Sequence, residues 1–101
     1  MNNIMNNIDN EENNVLTGNL GASILDIRGG MFYVTISYDN GYVAKISGEL
    51  FPGATFIAYK SSIKKWDAPH DKEALTSEMA AKIIADVEKS NGPGKVNIKF
   101  Q

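Results

Sequence analysis

Met31-Phe32-Tyr33-Val34-Thr35-Ile36-Ser37-Tyr38-Asp39-Asn40-Gly41-Tyr42-Val43-Ala44-Lys45-Ile46 reads as two strands and the turn between them. Apolar residues fall at every second position from Phe32 to Tyr38, and Asp39-Asn40-Gly41 is a strong hairpin signal. Packing selects the register. A two-residue Asn40-Gly41 turn sets Ile36 opposite Lys45 and Thr35 opposite Ile46, mixing polar and apolar residues on each face. A three-residue loop with Gly41 left-handed pairs Tyr38 with Tyr42, Ile36 with Ala44 and Val34 with Ile46. A slip of one residue would turn that apolar set to the other face. The expected hairpin therefore has a three-residue loop with a bulge. Phe32, Val34, Ile36 and Tyr38 share its buried face, while Met31, Tyr33, Thr35 and Ser37 share the other.

Upstream, Ser23-Ile24-Leu25-Asp26-Ile27-Arg28 is a short β-rich run closed by Gly29-Gly30. Downstream, Ser47-Gly48-Glu49-Leu50-Phe51-Pro52-Gly53 reads as a connection, because Pro52-Gly53 is a turn signal. Ala54 to Lys60 alternates again, with Phe56 and Ala58 against Thr55, Ile57 and Tyr59. Ser61-Ser62 ends that run, and Ile63 to Trp66 is either a last short strand or the point where the chain leaves the sheet. After Pro69 the period changes. Thr76 is the expected N-cap of a helix, with Glu78 in its first turn. Met79, Ile83 and Val87 form its apolar stripe, with Ala80 and Ile84 beside them. Lys82, Asp86 and Lys89 are expected on the wet side, with Glu78 and Lys82 as an i,i+4 pair. Asn91-Gly92-Pro93-Gly94 stops the helix. Lys95 to Phe100 is a final strand that buries Val96, Ile98 and Phe100.

These elements make an α+β fold: a mainly antiparallel sheet of about five short strands, one amphipathic helix packed on one face, and a C-terminal strand. The expected domain runs over 15–101. Residues 1–14 are half Asn, carry three acids and read as a disordered leader. At 101 residues the chain has room for a single core. It has no Cys, which removes disulfides, thiolate metal ligands and a thiol nucleophile. The net charge of −2 argues against broad capture of nucleic acid or acidic membrane. No basic, apolar start resembles a signal peptide and no apolar run is long enough to span a bilayer, so a soluble cytoplasmic protein is expected.

The rare side chains gather in Tyr59-Lys60-Ser61-Ser62-Ile63-Lys64-Lys65-Trp66-Asp67-Ala68-Pro69-His70-Asp71, which holds the only Trp and the only His. A Ser-His-Asp reading of Ser61, Ser62, His70, Asp67 and Asp71 lacks a nucleophile elbow, and His70 reads as an exposed or hydrogen-bonded loop residue. Asp67, His70 and Asp71 match neither zinc nor calcium spacing, and the glycines match no phosphate loop. No catalytic, cofactor or metal residue is assigned. Lys60, Lys64 and Lys65 with Tyr59 form a basic and aromatic mixture that suits stacking and phosphate contact. A solvated edge guarded by lysines explains them better in a chain with one Arg. Trp66 is expected in the core as the pin of a joint between sheet and helix, stiffened by Pro69.

Ser62 to His70, the acidic spacer after it, Leu75-Thr76 opening a helix and Ile83-Ile84 within it resemble the immunity protein 74 family of bacterial polymorphic toxin systems. Ile46-Ser47-Gly48-Glu49, the Tyr-led strand, the Trp66-x-x-Pro69 step and the final strand share in the likeness, which covers about residues 20–100. The family's acid after the Trp is here Asp67. The resemblance implies a non-enzymatic protein that binds and neutralises a toxin, and it transfers no catalytic residue. Tyr33, as an aromatic on the outer sheet face, and the Trp66–Asp71 loop are the candidate contacts. With Tyr59, Lys60, Lys64, Lys65, His70 and Asp71 they make the expected partner surface. The alternative is a small nucleic-acid or general interaction module on the lysine and Tyr59 surface. A homodimer through a free edge strand is compatible with either.

Overall fold

The computed structural model describes residues 17–92 and 95–101. The Asn-rich stretch 1–14, the expected start near Val15, and Pro93-Gly94 of the helix stop lie outside the described residues. The elements are β1 (Ile24–Gly29), β2 (Tyr33–Tyr38), β3 (Val43–Phe51), β4 (Thr55–Ala58), α1 (Ser77–Ser90) and β5 (Asn97–Phe100), with a 3-10 turn at Lys60–Ser62. The strands form one curled sheet in the order β1-β2-β3-β4-β5. Neighbours are antiparallel except β5, which runs parallel to β4 after the crossover through α1.

The hairpin has the register its packing demands. Val34 faces Ile46 and Ile36 faces Ala44, and the Tyr38 amide donates to the Tyr42 carbonyl. Gly41 closes the loop at φ 94°, a left-handed conformation that only a residue without Cβ adopts cheaply. Ser47–Phe51, expected as a connection, is instead the second half of a nine-residue strand. The first half of β3 pairs with β2 and the second half, from Gly48, with β4. At Gly48 a Cβ would lie 2.1 Å from the Ile57 carbonyl oxygen and 2.9 Å from the Ala58 Cα. The missing side chain at Gly48 is what lets two strands close on one another.

Where β4 ends, the following segment takes over its flank of β3. Tyr59 N–H donates to Ser47 O, Ser47 N–H to Ser62 Oγ, and Asp67 N–H to Val43 O. Ile63 to Trp66 therefore leaves the sheet, apart from an isolated bridge between Lys65 and Ala74. Thr76 caps α1 through a bond from the Met79 amide. The stripe of Met79, Ile83 and Val87 is buried with Val34, Ile36, Tyr38, Ala44, Ile46, Phe56, Ala58, Trp66 and Ile98.

Three expectations about faces are corrected. Lys82 and Asp86 are partly covered: Lys82 Nζ donates to Asp86 Oδ2 at 2.7 Å and to the Ala22 carbonyl at 2.9 Å, and the Tyr38 hydroxyl donates to Asp86 Oδ2. The chain before β1 lies against this side of α1, so Lys82 pairs with Asp86 and not with Glu78. Phe32 and Val96, expected inside, are 65% and 46% exposed. Both precede the first residue of their strands, and Val96 lies with Ser90 and Asn91 at the end of α1, where the buried stripe has already finished at Val87.

Candidate interaction surface

Trp66 is fully buried, and Tyr42 packs against it in a T-shaped contact with centroids 5.2 Å apart. The His70 ring stacks on the ring of Tyr42. Glu73 ties the loop together, accepting from the Tyr42 hydroxyl and bonding His70 Nδ1 at 2.7 Å. The Ala68–Pro69 bond is cis within a turn closed from His70 N–H to Asp67 O, and Pro69 itself is exposed. The bond to Glu73, with burial second, pushes the Tyr42 phenol up to about 12. The Tyr42 and His70 bonds hold the Glu73 carboxyl below its ordinary value. Near neutral pH this leaves a protonated phenol beside an ionised carboxylate, an arrangement that locks a loop to a hairpin. The Ser62 hydroxyl is committed to Ser47 N–H and Tyr59 O. Among the described residues no group of three or more His, Asp or Glu side chains is placed to hold a metal ion.

The partner residues expected from sequence divide into two places. Tyr33 pairs with Ser47 from β2, and Tyr59 bonds the same residue from the opposite flank, so the two tyrosines bracket one position of β3. Tyr33 is exposed with Lys45 Nζ 4.9 Å above its ring. The Tyr59 hydroxyl donates to Glu49 Oε2, which raises its pKa. Lys60, Lys64 and Lys65 are exposed nearby, in the segment that follows Tyr59. His70 and Asp71 belong instead to the hairpin end, His70 half-buried under its bonds and Asp71 exposed.

The sequence reading missed a third surface. Leu25, Met31, Leu50 and Val96 are exposed and line a groove of about 730 Å³ between β1, the β1–β2 turn, the end of β3, the start of β5 and the last turn of α1. Leu50 N–H donates to Met31 O and Gly48 N–H to Phe32 O, which draws the β1–β2 turn alongside the end of β3. Its traces in the sequence are adjacent apolar pairs, Ile24-Leu25, Met31-Phe32 and Leu50-Phe51, where alternation predicts one residue in and one out. A bulge between Ile24 and Asp26 breaks the alternation in β1.

No helix among the described residues is long and apolar enough to cross a membrane. No curated protein and no solved structure matches the chain. The family model described as Immunity protein 74 matches residues 26–101, from β1 through β5, and so takes in Gly48, Trp66 and Pro69. By that match over three quarters of its length, the chain belongs to the Immunity protein 74 family.

Proposed function

We propose that this protein neutralises a cognate bacterial toxin by binding it stoichiometrically in the cytoplasm, with no chemistry of its own. The observation that carries this reading is the family match over 26–101, since an immunity protein implies a toxin partner. An exposed apolar end on a small domain supports it, because such patches mark protein contacts. The test is co-expression with the toxin domain encoded beside this gene, followed by sedimentation of the purified mixture. Growth rescue together with a complex of fixed stoichiometry is the expected result. Failure of the intact protein to rescue would overturn the reading. Full inactivation of toxin by a small molar fraction of this protein would replace binding with catalysis.

The two tyrosines that bracket Ser47, with Lys45 over one ring and Lys60, Lys64 and Lys65 beside the other, favour single-stranded nucleic acid as a second reading. It requires tight binding of an oligonucleotide that weakens steeply with salt.

A further inference from the structure

Six of the eight exposed large hydrophobic side chains among the described residues lie at one end of the sheet: Leu25, Met31, Phe32, Leu50, Phe51 and Val96. Four of them line the groove, and Phe32 and Phe51 are chain neighbours of lining residues. The volume of about 730 Å³ falls in the range of sites that take up a small molecule or several side chains. Val34, Phe56 and Ile98 also line it, so the groove runs from exposed apolar side chains to the core.

Charge and edge geometry narrow the occupant. Asp26 accepts from Arg28 Nε at 2.6 Å, so these two charges cancel at the β1 side. Lys95 is the remaining charge among the lining residues and has no ion pair among the described residues. The complement is an apolar segment with a carboxylate beside it. A second copy adding itself through β1 is disfavoured, because the bulge between Ile24 and Asp26 and the exposed Asp26–Arg28 pair guard that edge.

We propose that this apolar end is where the toxin docks, inserting a short segment with aliphatic or aromatic side chains and a carboxylate that meets Lys95. The assignment rests on the toxin-binding function proposed above. Leu25 and Met31 are its anchors, since they are the most exposed of the lining hydrophobics at 72% and 63%.

The experiment titrates the full-length protein with the toxin domain encoded beside its gene. Leu25→Asp and Met31→Lys are expected to weaken binding by about 30-fold or more, as loss of an interface anchor does. Lys95→Glu is expected to slow association about tenfold and to reduce its salt dependence. Glu78→Gln, exposed in the first turn of α1 and outside the groove, serves as the control and is expected to leave affinity unchanged. If Leu25→Asp also lowers the melting midpoint, Met31→Lys carries the test, because Met31 lies in a turn outside the strands. Tight binding that survives both groove substitutions overturns the docking surface and leaves the function standing. Failure of the wild-type protein to bind removes the function and the surface with it. A wild-type dimer that Met31→Lys splits into monomers assigns the groove to a second copy and overturns the proposal.

Discussion

The imidazole of His70 lies flat against the ring of Tyr42, centroids 3.7 Å apart and planes 12° from parallel, while Glu73 bonds both. One residue sits at the tip of the central hairpin and the other in the loop that leads to the helix. Their contact, with Trp66 packed on the same tyrosine, is how the sheet is joined to α1 on this side.

That cluster sets two limbs of stability against pH. Glu73 is held below its ordinary 4.5, first by the Tyr42 hydroxyl and then by His70. Its contribution is complete above 4.5 and is lost as pH falls through the lower folded value. Tyr42 is raised from 10 to about 12, so its contribution is complete below pH 10 and is lost as pH rises through about 12. Tyr38, raised chiefly by burial, acts in the same alkaline direction. Melting midpoints across both ranges check this. Glu73→Gln is expected to flatten the acid limb, and Tyr42→Phe to remove part of the alkaline one. An alkaline limb unchanged in Tyr42→Phe would show that the phenol is not held in this way.

Trp66 is the largest fully buried side chain among the described residues. Trp66→Ala is expected to cost about 3–5 kcal/mol, a large part of the stability of so small a domain. Trp66→Phe is expected to cost less, because Nε1 has no hydrogen-bond partner among the described residues and its removal breaks no bond. Urea unfolding of the two variants gives the comparison. Equal losses would mean that a phenyl ring at this position recovers none of the packing that the indole supplies.

The parts of this fold that local pattern dictates were legible in the sequence. Hairpin register follows from which residues must share a face, and Thr76 and the Met79-Ile83-Val87 stripe follow from helix geometry. What alternation does not encode is a strand that changes partners along its length. Gly48 marks that change in β3 but lies in a stretch that Pro52-Gly53 makes read as a connection, because the atom that requires a glycine there, the Ile57 carbonyl oxygen, comes from another strand. The apolar end escaped for a similar reason. Whether Leu50 or Val96 is covered depends on where the helix stops over the sheet, and no residue of either strand carries that information. Lys82 likewise looks solvent-facing on a helical wheel, yet the chain before β1 lies against it.

Gly48→Ala tests the crossover point directly. The added methyl would sit 2.1 Å from a backbone oxygen and 2.6 Å from the Phe56 ring. The backbone can yield only by opening the β3–β4 ladder. Overpacking against fixed atoms costs typically about 1–3 kcal/mol and more where backbone must move, so this variant is expected to be the worst tolerated methyl addition in the sheet. Gly41→Ala meets no atom within 4 Å and pays only for its left-handed backbone, at about 1 kcal/mol. Circular dichroism melts of the pair separate the two causes. A Gly48→Ala protein as stable as Gly41→Ala would require a sheet that splays more easily than the pairing implies.

Asn91 ends α1 and guards the outer edge of β5 with the same side chain. Its Nδ2 donates to the Ile98 carbonyl at 2.9 Å, and the Ile98 amide donates to its Oδ1 at 3.0 Å. This amide pairs with Ile98 as a neighbouring strand would, satisfying two backbone groups that β4 does not reach and leaving nothing there for another chain to pair with. Asn91→Leu keeps the size and removes both bonds, for an expected loss of about 1–3 kcal/mol. Asn91→Asp keeps the acceptor for the Ile98 amide but sets a carboxylate against the Ile98 carbonyl, which leaves that carbonyl unpaired. Hydrogen exchange at the Ile98 amide distinguishes the two, since it is expected to accelerate in Asn91→Leu and to stay slow in Asn91→Asp. Equal protection in both variants would show that the edge is held by the parallel pairing of β4 and β5 alone.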